Sequence, residues 1–332
     1  MERHMKPTPV RALLFASATT LALAAPVLAQ EFPLTIAHKF GTTIIPARPE
    51  AVASIDYGGI DNLLAVGVSP VTVRQWRPMD GFEHTAGPWA EDLLTSEPVL
   101  LEADLDYEAI AATNPDVIIA LYSGIDQDAY DKLSLIAPVV AVPEGSSDYG
   151  LSWEDRARLV GRAVGEEAEA ERRIAAIGDQ LAEIAAAHPE WADQTAVLGG
   201  ITDGAPWAYS MYDVRAKFLY EMGFAQTPAM AELADPNEFW LELSPEQLEV
   251  IDADIIVYYV TDDLVEKVAA EPGRQFLKAS KSGGEVFLGD LPVAAMARVS
   301  LLSIPVALDS MVPMLEAAAD GDPTTLVPDA RH

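Results

Sequence analysis

The stretch that decides the fold occurs twice, as LDYEAIAATNPDVIIA at residues 105–120 and as LSPEQLEVIDADIIVY at residues 243–258. The two copies align without a gap, and each predicts a short capped helix, a tight turn and a buried strand. In the second copy Pro245 and Gln247 follow Ser244 at the spacing of a helix start. A unit that recurs at the distance of a domain predicts two similar lobes, and ligands commonly bind in a cleft between lobes.

Short apolar strands alternate with helices along both halves of the chain. The strands are expected at residues 52–55, 68–73, 139–142, 195–201, 254–259 and 286–288. The helices are expected at residues 60–65, 130–136, 153–164, 213–222 and 300–318, with a loose tail after Asp320. Strands that alternate with helices across short connections predict a mainly parallel sheet covered by helices on both faces.

A single long helix is expected between the two halves, at residues 166–187. Its apolar residues recur at intervals of three and four, at Ile174, Ile177, Leu181 and Ile184. The sequence therefore predicts an α/β protein with two Rossmann-like lobes, whose mainly parallel sheets are joined by one long rigid α-helix. The expected boundaries are residues 30–165 for the N-terminal lobe, 166–188 for the connecting helix and 189–332 for the C-terminal lobe.

The first 29 residues are typical of a cleavable signal peptide. Three basic residues precede an apolar stretch at residues 12–25, which is too short to span a bilayer, and small residues precede Gln30. An uncleaved N-terminal anchor is the alternative. The chain contains no cysteine, so it lacks the thiol that a lipid anchor requires. These features predict a protein that is secreted to the periplasm and is not lipid-anchored.

The net charge of −31 argues against nucleic acid and anionic membranes as partners, since both require a basic face. Two explanations of the acidity stay open: solubility in a salty habitat, or a cationic ligand.

Sequence motifs of common enzymes are absent. The chain has no G-x-S-x-G elbow, Walker loop, H-E-x-x-H or G-x-G-x-x-G motif. His38, His84 and His188 lie in separate segments, which disfavours a metal site built from imidazoles. The sequence thus indicates a protein that is not an enzyme and has neither an intrinsic cofactor nor a protein-held metal.

Four blocks in a fixed order resemble the iron–siderophore binding proteins of ABC importers, the class III family that includes ferric-hydroxamate binders. The blocks are FGTTIIPARPEAV at residues 40–52, DYGGIDNLLAVGVSPV at 56–71, the pair NPDVII at 114–119 and ADII at 253–256, and a C-terminal block from Phe276-Leu277 through GEVF at 284–287 to Leu308-Asp309. The resemblance implies a monomer that captures a ferric siderophore in the interlobe cleft and delivers it to an ABC permease for iron uptake.

Such a ligand already surrounds its iron with oxygen atoms, so the protein needs to supply hydrogen-bond donors and aromatic faces rather than metal ligands. Candidates should follow the carboxyl ends of the strands. The ligand-binding candidates in the first lobe are Tyr57, Arg74, Trp76, Arg77, Trp89 and Tyr122. Those in the second lobe are Trp207, Tyr209, Trp240 and Arg298.

The resemblance also implies one acidic docking residue on each lobe for the permease. Asp131 is the candidate on the first lobe, and Asp263 or Glu266 is the candidate on the second. The chain departs from the family pattern at Glu102, where some hydroxamate binders carry an arginine. That departure leaves open a positively charged or differently anchored chelate.

Two alternative functions are retained. Haem or cobalamin could be the ligand of the same class of importer, with Tyr57 or Tyr122 as an axial ligand of haem. A secreted enzyme could instead use paired carboxylates such as Asp203 and Asp262, although nothing in the sequence places them opposite each other.

Overall fold

The computed structural model describes residues 1, 30–58, 60–75, 82, 85–236 and 238–332. The predicted signal peptide, apart from residue 1, lies outside the described residues. An antiparallel ribbon of β1 (Leu34–His38) and β2 (Gly41–Ile45) opens the described chain. No described helix is both long enough and apolar enough to cross a bilayer.

The first lobe is built on a five-stranded parallel sheet. Its strands are β3 (Val52–Ser54), β4 (Thr72–Arg74), β5 (Val99–Leu101), β6 (Val117–Ala120) and β7 (Val139–Ala141). They are arranged in the order β5-β4-β3-β6-β7. The accompanying helices are α1 (Asp61–Ala65), a 3-10 helix (Glu91–Leu93), α2 (Tyr107–Ala112), α3 (Gln127–Ser134) and α4 (Trp153–Val164).

A 21-residue helix, α5 (Glu167–Ala187), leads out of the first lobe, as the apolar spacing predicts. It packs against α4 and buries Ala170, Ile177 and Leu181, while much of its remaining surface faces solvent. A 3-10 helix (Pro189–Asp193) follows, and its Trp191 stacks on Phe224 with the ring centres 4.6 Å apart. The connecting helix is therefore anchored at both ends by buried side chains.

The second lobe has a mixed five-stranded sheet. Its strands are β8 (Ala196–Thr202), β9 (Ala205–Tyr209), β10 (Trp240–Glu242), β11 (Ile255–Tyr258) and β12 (Glu285–Phe287), in the order β10-β9-β8-β11-β12. The helices are α6 (Val214–Glu221), α7 (Pro228–Glu232), α8 (Asp262–Ala269), α9 (Lys278–Ser282), α10 (Asp290–Arg298) and α11 (Ser303–Ala318), with 3-10 helices at Pro245–Ile251 and Pro272–Phe276. The predicted pair of α/β lobes joined by a long helix is confirmed.

Two strands of the second sheet run antiparallel to their neighbours, which the sequence reading missed. Asp203 and Gly204 both have positive φ, of 51° and 82°, and form a two-residue turn between β8 and β9. β10 then pairs with β9 at the outer edge of the sheet. This extra hairpin brings aromatic side chains beside the end of β8.

The expectation of a loose C-terminal tail was wrong. Asp329 is buried, and its carboxylate accepts a hydrogen bond of 3.2 Å from the backbone N–H of Phe287. Arg331 pairs with the same carboxylate at 2.8 Å, and its guanidinium lies 4.2 Å from the Phe287 ring centre. The tail is therefore packed along the last strand of the second sheet.

Candidate functional site

Tyr57 and Arg74 lie together at the carboxyl ends of β3 and β4, the part of the first sheet where the sequence predicts ligand-binding residues. The Arg74 guanidinium carbon lies 4.2 Å from the centre of the Tyr57 ring. Its Nε donates to the Ala103 carbonyl at 2.8 Å, and its Nη1 lies 3.4 Å from the Ser123 carbonyl. Arg74 is thus a buried cation held by backbone carbonyls and covered by an aromatic ring.

Tyr122 follows β6 and meets a buried arginine that the sequence reading missed. The guanidinium carbon of Arg156, on α4, lies 5.0 Å from the Tyr122 ring centre, and Tyr149 packs edge-on against the same ring at 5.0 Å. Arg156 lies on the apolar face of its helix with Trp153 and Val160. A charged residue on an otherwise apolar helical stripe was the signal that could have revealed it.

Asp56 is buried close to Arg156 and Arg74. Its Oδ1 accepts a hydrogen bond of 2.8 Å from the backbone N–H of Tyr122. Burial raises the pKa of Asp56 to about 6, although that hydrogen bond and the charges of Arg156 and Arg74 oppose the rise. The carboxylate is therefore half-protonated at about pH 6.

A segment after α10 crosses back to the first lobe, and we call residues 298–301 the crossing segment. Arg156 Nη2 donates to the carbonyls of Arg298, at 2.8 Å, and of Val299. Ser300 Oγ donates to Asp61 Oδ2 at 2.7 Å, and the Leu301 N–H donates to the Asn62 side chain at 3.0 Å. The crossing segment therefore forms a polar floor between the lobes, which was not predicted.

Trp89 and Arg298 both belong to this floor. The Trp89 indole N–H donates to Asp61 Oδ2 at 2.9 Å. The Arg298 guanidinium carbon lies 5.0 Å from the Phe82 ring centre, and its Nε is buried with no hydrogen-bond partner among the residues described. Trp89 is tied to a buried carboxylate, whereas Arg298 retains an unused donor.

The second lobe contributes an aromatic cluster, which we define as Trp207, Tyr209, Trp240 and Tyr259. Trp207 and Trp240 stack with their ring centres 4.5 Å apart, and Tyr209 packs edge-on against Trp240 at 5.1 Å. Tyr259 lies edge-on to Tyr209 at 5.8 Å. Antiparallel pairing of β9 with β10, in which Tyr209 lies opposite Trp240, brings three of these rings together, so the predicted Trp207, Tyr209 and Trp240 form one surface.

Arg215 supports this cluster from α6 and was not predicted. Its guanidinium carbon lies 3.8 Å from the Tyr209 ring centre, and it pairs with Asp213 at 2.6 Å. Burial works against the charge of Arg215, but its hydrogen bonds to Asp213 raise the pKa of the guanidinium on balance. The cation is thereby fixed behind the aromatic cluster.

The two lobes face each other across this arrangement. Burial raises the pKa of Tyr209, Arg215 opposes the rise, and the Tyr122 phenol on the other lobe adds to it. Burial likewise lowers the pKa of Arg298, while Asp61 and Tyr259 of the aromatic cluster oppose that change. Tyr122 and Tyr209, and likewise Asp61 and Arg298, therefore influence each other's charge from opposite lobes.

A cavity of about 510 Å³ opens at the second lobe beside the aromatic cluster. It lies at the carboxyl ends of β8 and β11, between Gly200, Trp207 and Trp240 on one side and Leu264 on the other. Its walls are mainly apolar, and its volume suits part of a small-molecule ligand.

The remaining predicted residues lie elsewhere. Trp76 and Arg77 are outside the described residues, so their predicted ligand contacts stay predictions.

Asp131 is exposed on α3, while Asp263 and Glu266 are exposed on α8, the helices that follow the two repeated strands. Over the described part of the chain, no group of three or more His, Cys, Asp or Glu side chains is placed to hold a metal.

The carboxylates of the enzyme alternative have local partners. Asp203 forms an ion pair with Lys267 at 2.9 Å, and Asp262 accepts a hydrogen bond from the backbone N–H of Asp290 at 3.3 Å. Each carboxylate is therefore engaged at an exposed helix or turn.

Comparison with known proteins gives consistent matches over most of the chain. Residues 49–290 match the family described as periplasmic binding protein. A periplasmic solute binding protein of Mycobacterium smegmatis is 32% identical, with a TM-score of 0.75, and the match covers 85% of this chain and 97% of that one. PiaA of Streptococcus pneumoniae, solved in complex with ferrichrome, is 28% identical, with a TM-score of 0.71 and coverage of 87% and 99%. YfiY of Bacillus subtilis, named a probable siderophore-binding lipoprotein, is 26% identical over 231 residues, 68% of each chain.

Proposed function

Because the chain belongs to the periplasmic binding protein family, we propose that it captures a ferric siderophore between its two lobes and delivers it to the permease of an ABC importer. The protein acts as a monomer, and the iron stays bound to the siderophore. Asp131 on one lobe and Asp263 or Glu266 on the other contact the permease. The N-terminal 29 residues direct secretion to the periplasm and are removed, without a lipid anchor.

The observation that carries this proposal is the excess of buried positive charge at the cleft floor. Three buried arginines, Arg74, Arg156 and Arg298, lie there with two buried aspartates, Asp56 and Asp61. Burying a cation is costly unless a negative group compensates it. In a protein of net charge −31, a buried cationic surface supports binding of an anionic ligand.

The chemistry of a ferric siderophore matches both the buried arginines of the cleft floor and the aromatic cluster. Hydroxamate, catecholate and carboxylate oxygens carry negative charge and accept hydrogen bonds, which guanidinium groups donate well. The aromatic cluster offers flat apolar faces for the organic backbone of the chelate. The ligand residues in this proposal are Tyr57, Arg74, Trp76, Arg77, Trp89, Tyr122, Trp207, Tyr209, Trp240 and Arg298, supported by Arg156.

The direct test is a titration of tryptophan fluorescence with ferric ferrioxamine, ferrichrome, a ferric catecholate and ferric citrate. We expect saturable quenching by at least one chelate, with a Kd of about 1 μM or lower. Haemin is titrated in parallel. A new Soret band with no response to any ferric chelate would replace this proposal with haem binding.

A double substitution tests the first-lobe arginines. Arg74→Ala with Arg77→Ala should weaken binding of the preferred chelate at least about tenfold, which is ~1.4 kcal/mol. The control is Arg158→Ala with Arg172→Ala, which removes the same charge from surface ion pairs. Equal affinities in the two double variants would remove Arg74 and Arg77 from the site.

A further inference from the structure

The cavity beside the aromatic cluster differs in charge from the cleft floor. Among the described residues that line it, Glu242 is the single charged side chain. Glu242 is exposed at the end of β10 and forms no ion pair within the described ranges. The floor is thus rich in cations, whereas this cavity carries one uncompensated carboxylate.

Trp240 and Glu242 are two residues apart on β10, so their side chains project from the same face of the strand. Trp207 is enclosed between Trp240 on one side and the backbone of Gly200 on the other, where a Cβ would lie 3.3 Å from the indole. Trp240 keeps 43% of its surface exposed. An accessible indole and a carboxylate therefore lie side by side at the mouth of the cavity.

Two described cations on the surrounding helices, α8 and α6, are already paired. Lys267 on α8 binds Asp203 at 2.9 Å, and Arg215 on α6 binds Asp213 at 2.6 Å. Neither is available to neutralise Glu242 without losing its own partner. No side chain of the described residues therefore neutralises the charge of Glu242.

We propose that this cavity is a subsite for a primary alkylammonium arm of the ligand. This inference rests on the proposed function, since the chelate itself would occupy the adjacent cationic floor. The ammonium group lies against the Trp240 face and pairs with Glu242, while the alkyl chain lies along the apolar cavity wall. An ammonium beside an aromatic face and a carboxylate gains from both interactions.

The same geometry disfavours an anionic arm. A carboxylate placed here would meet Glu242 with no free cation from the described residues of the cavity lining beside it, and like charges at close range repel. The cleft is therefore polarised, with the anionic chelate facing the arginines and the cationic arm facing the second lobe.

The test compares ferrioxamine B, which carries a terminal ammonium, with its N-acetylated form, which does not. The wild-type protein should bind ferrioxamine B at least about fivefold more tightly. Glu242→Gln should abolish this preference and leave the affinity for the acetylated chelate within about twofold. Glu246→Gln is the matched control, because it removes the same charge from an exposed residue outside the cavity lining and should preserve the preference.

A second measurement does not require a chelate. n-Pentylammonium chloride should shift the indole N–H signals of Trp207 and Trp240 in NMR spectra at millimolar concentration, whereas n-pentanol should not. The ammonium-specific shift should be absent in Glu242→Gln. Shifts by pentylammonium without binding of any ferric chelate would retain the subsite and reject the proposed function. Equal affinities for the two ferrioxamines, or a pentylammonium response that survives Glu242→Gln, would overturn the subsite.

Discussion

The two repeated stretches share a scaffold but not their chemistry. In the first lobe, Asp116 precedes β6 and its Oδ2 accepts hydrogen bonds of 2.9 Å from the N–H groups of Glu50 and Ala51, just before β3. In the second lobe, Asp254 precedes β11 and its Oδ2 accepts a hydrogen bond of 2.9 Å from Thr195, just before β8. The repeated aspartate thus performs the same task twice, joining the starts of two adjacent parallel strands.

The opposite ends of those strands differ. β3 leads into the buried carboxylate of Asp56, close to arginines, whereas β8 ends at Thr202 and its Gly200 lies against the stacked tryptophans. The helices of the repeat differ as well, because the second is a 3-10 helix with non-helical angles at Gln247. The comparison shows that the repeat preserves the amino ends of these strands, while the carboxyl ends, which face the cleft, differ between the lobes.

The largest expected effect concerns the polar floor, where the first lobe contacts the crossing segment. Arg156→Ala would leave Asp56 without one of its buried counter-charges and the carbonyls of Arg298 and Val299 without their donor. We expect a loss of about 3–5 kcal/mol in the free energy of unfolding, measured by urea denaturation. Arg158→Ala on the same helix should cost less than about 1 kcal/mol, since its ion pairs are exposed. Similar losses in the two variants would contradict the role assigned to Arg156.

Substituting the two repeated aspartates tests whether they are equivalent. Asp254→Ala removes hydrogen bonds from the backbone and side chain of Thr195 and an ion pair with Lys278, so it should lower the free energy of unfolding by about 1–2 kcal/mol. Asp116→Ala should cost less, because Asp116 is exposed and has no such ion pair in the described chain. Chemical denaturation of both variants provides the comparison, and a larger loss for Asp116→Ala would reverse our ranking.

A pH dependence is expected from the first lobe. Asp56 has a pKa of about 6 in the folded protein against an ordinary value of 3.8, so the folded state binds its proton more tightly than the unfolded state does. Its contribution to stability therefore falls as the pH rises between these values. Asp56→Asn lacks this loss, and its free energy of unfolding should improve relative to wild type by about 1.4 kcal/mol between pH 5 and pH 7.5. A constant difference across that range would show that the pKa of Asp56 is not raised.

The smallest effect concerns the aromatic side of the cleft. Trp240→Leu keeps an apolar side chain but removes the stacking face, and it should weaken binding of the preferred ferric chelate about fivefold. The measurement is isothermal titration calorimetry, which does not depend on the lost tryptophan. Phe276→Leu, at an exposed position outside the cavity lining, should leave the affinity unchanged. An unaltered affinity in Trp240→Leu would indicate that the second lobe contributes little through this ring.

Strands and helices whose apolar residues follow a regular spacing could be predicted from the sequence. The strands around Ile118 and Ile256 are continuous apolar runs, and the apolar residues of α5 recur at helical spacing. A short stretch of sequence is therefore enough to predict each of these elements. The hairpin was missed although Asp203-Gly204 is a recognised turn pair, because its second strand, β9, is short and irregular in polarity. The turn residues are visible in the sequence, but β9 becomes recognisable as a strand only through its pairing with β8.

The candidate site was less accessible to sequence reasoning. Tyr57 and Arg74 were predicted as candidates because strand ends can be located from the sequence, and the structure places them together at the ends of β3 and β4. Trp207, Tyr209 and Trp240 were predicted with them, although they lie within β9 and β10 rather than after a strand. The role of Arg156 depends on its contact with the crossing segment, and the break between α10 and α11 occurs at Val299, a β-branched residue with φ of 45°. Contacts between distant parts of the chain determine both the role of Arg156 and the helix break at Val299, so neither can be predicted from neighbouring residues alone.

The crossing segment has a consequence for the order in which the protein folds. The partners of Asp61 and Asn62, Ser300 and Leu301, lie 239 positions further along the chain. A chain growing from its N-terminus cannot complete the interior of its leading half until almost all of the polypeptide has been made. Contacts of such long range slow folding, because a very large loop must close before they form. The first lobe therefore reaches its final packing only after the crossing segment has folded against it.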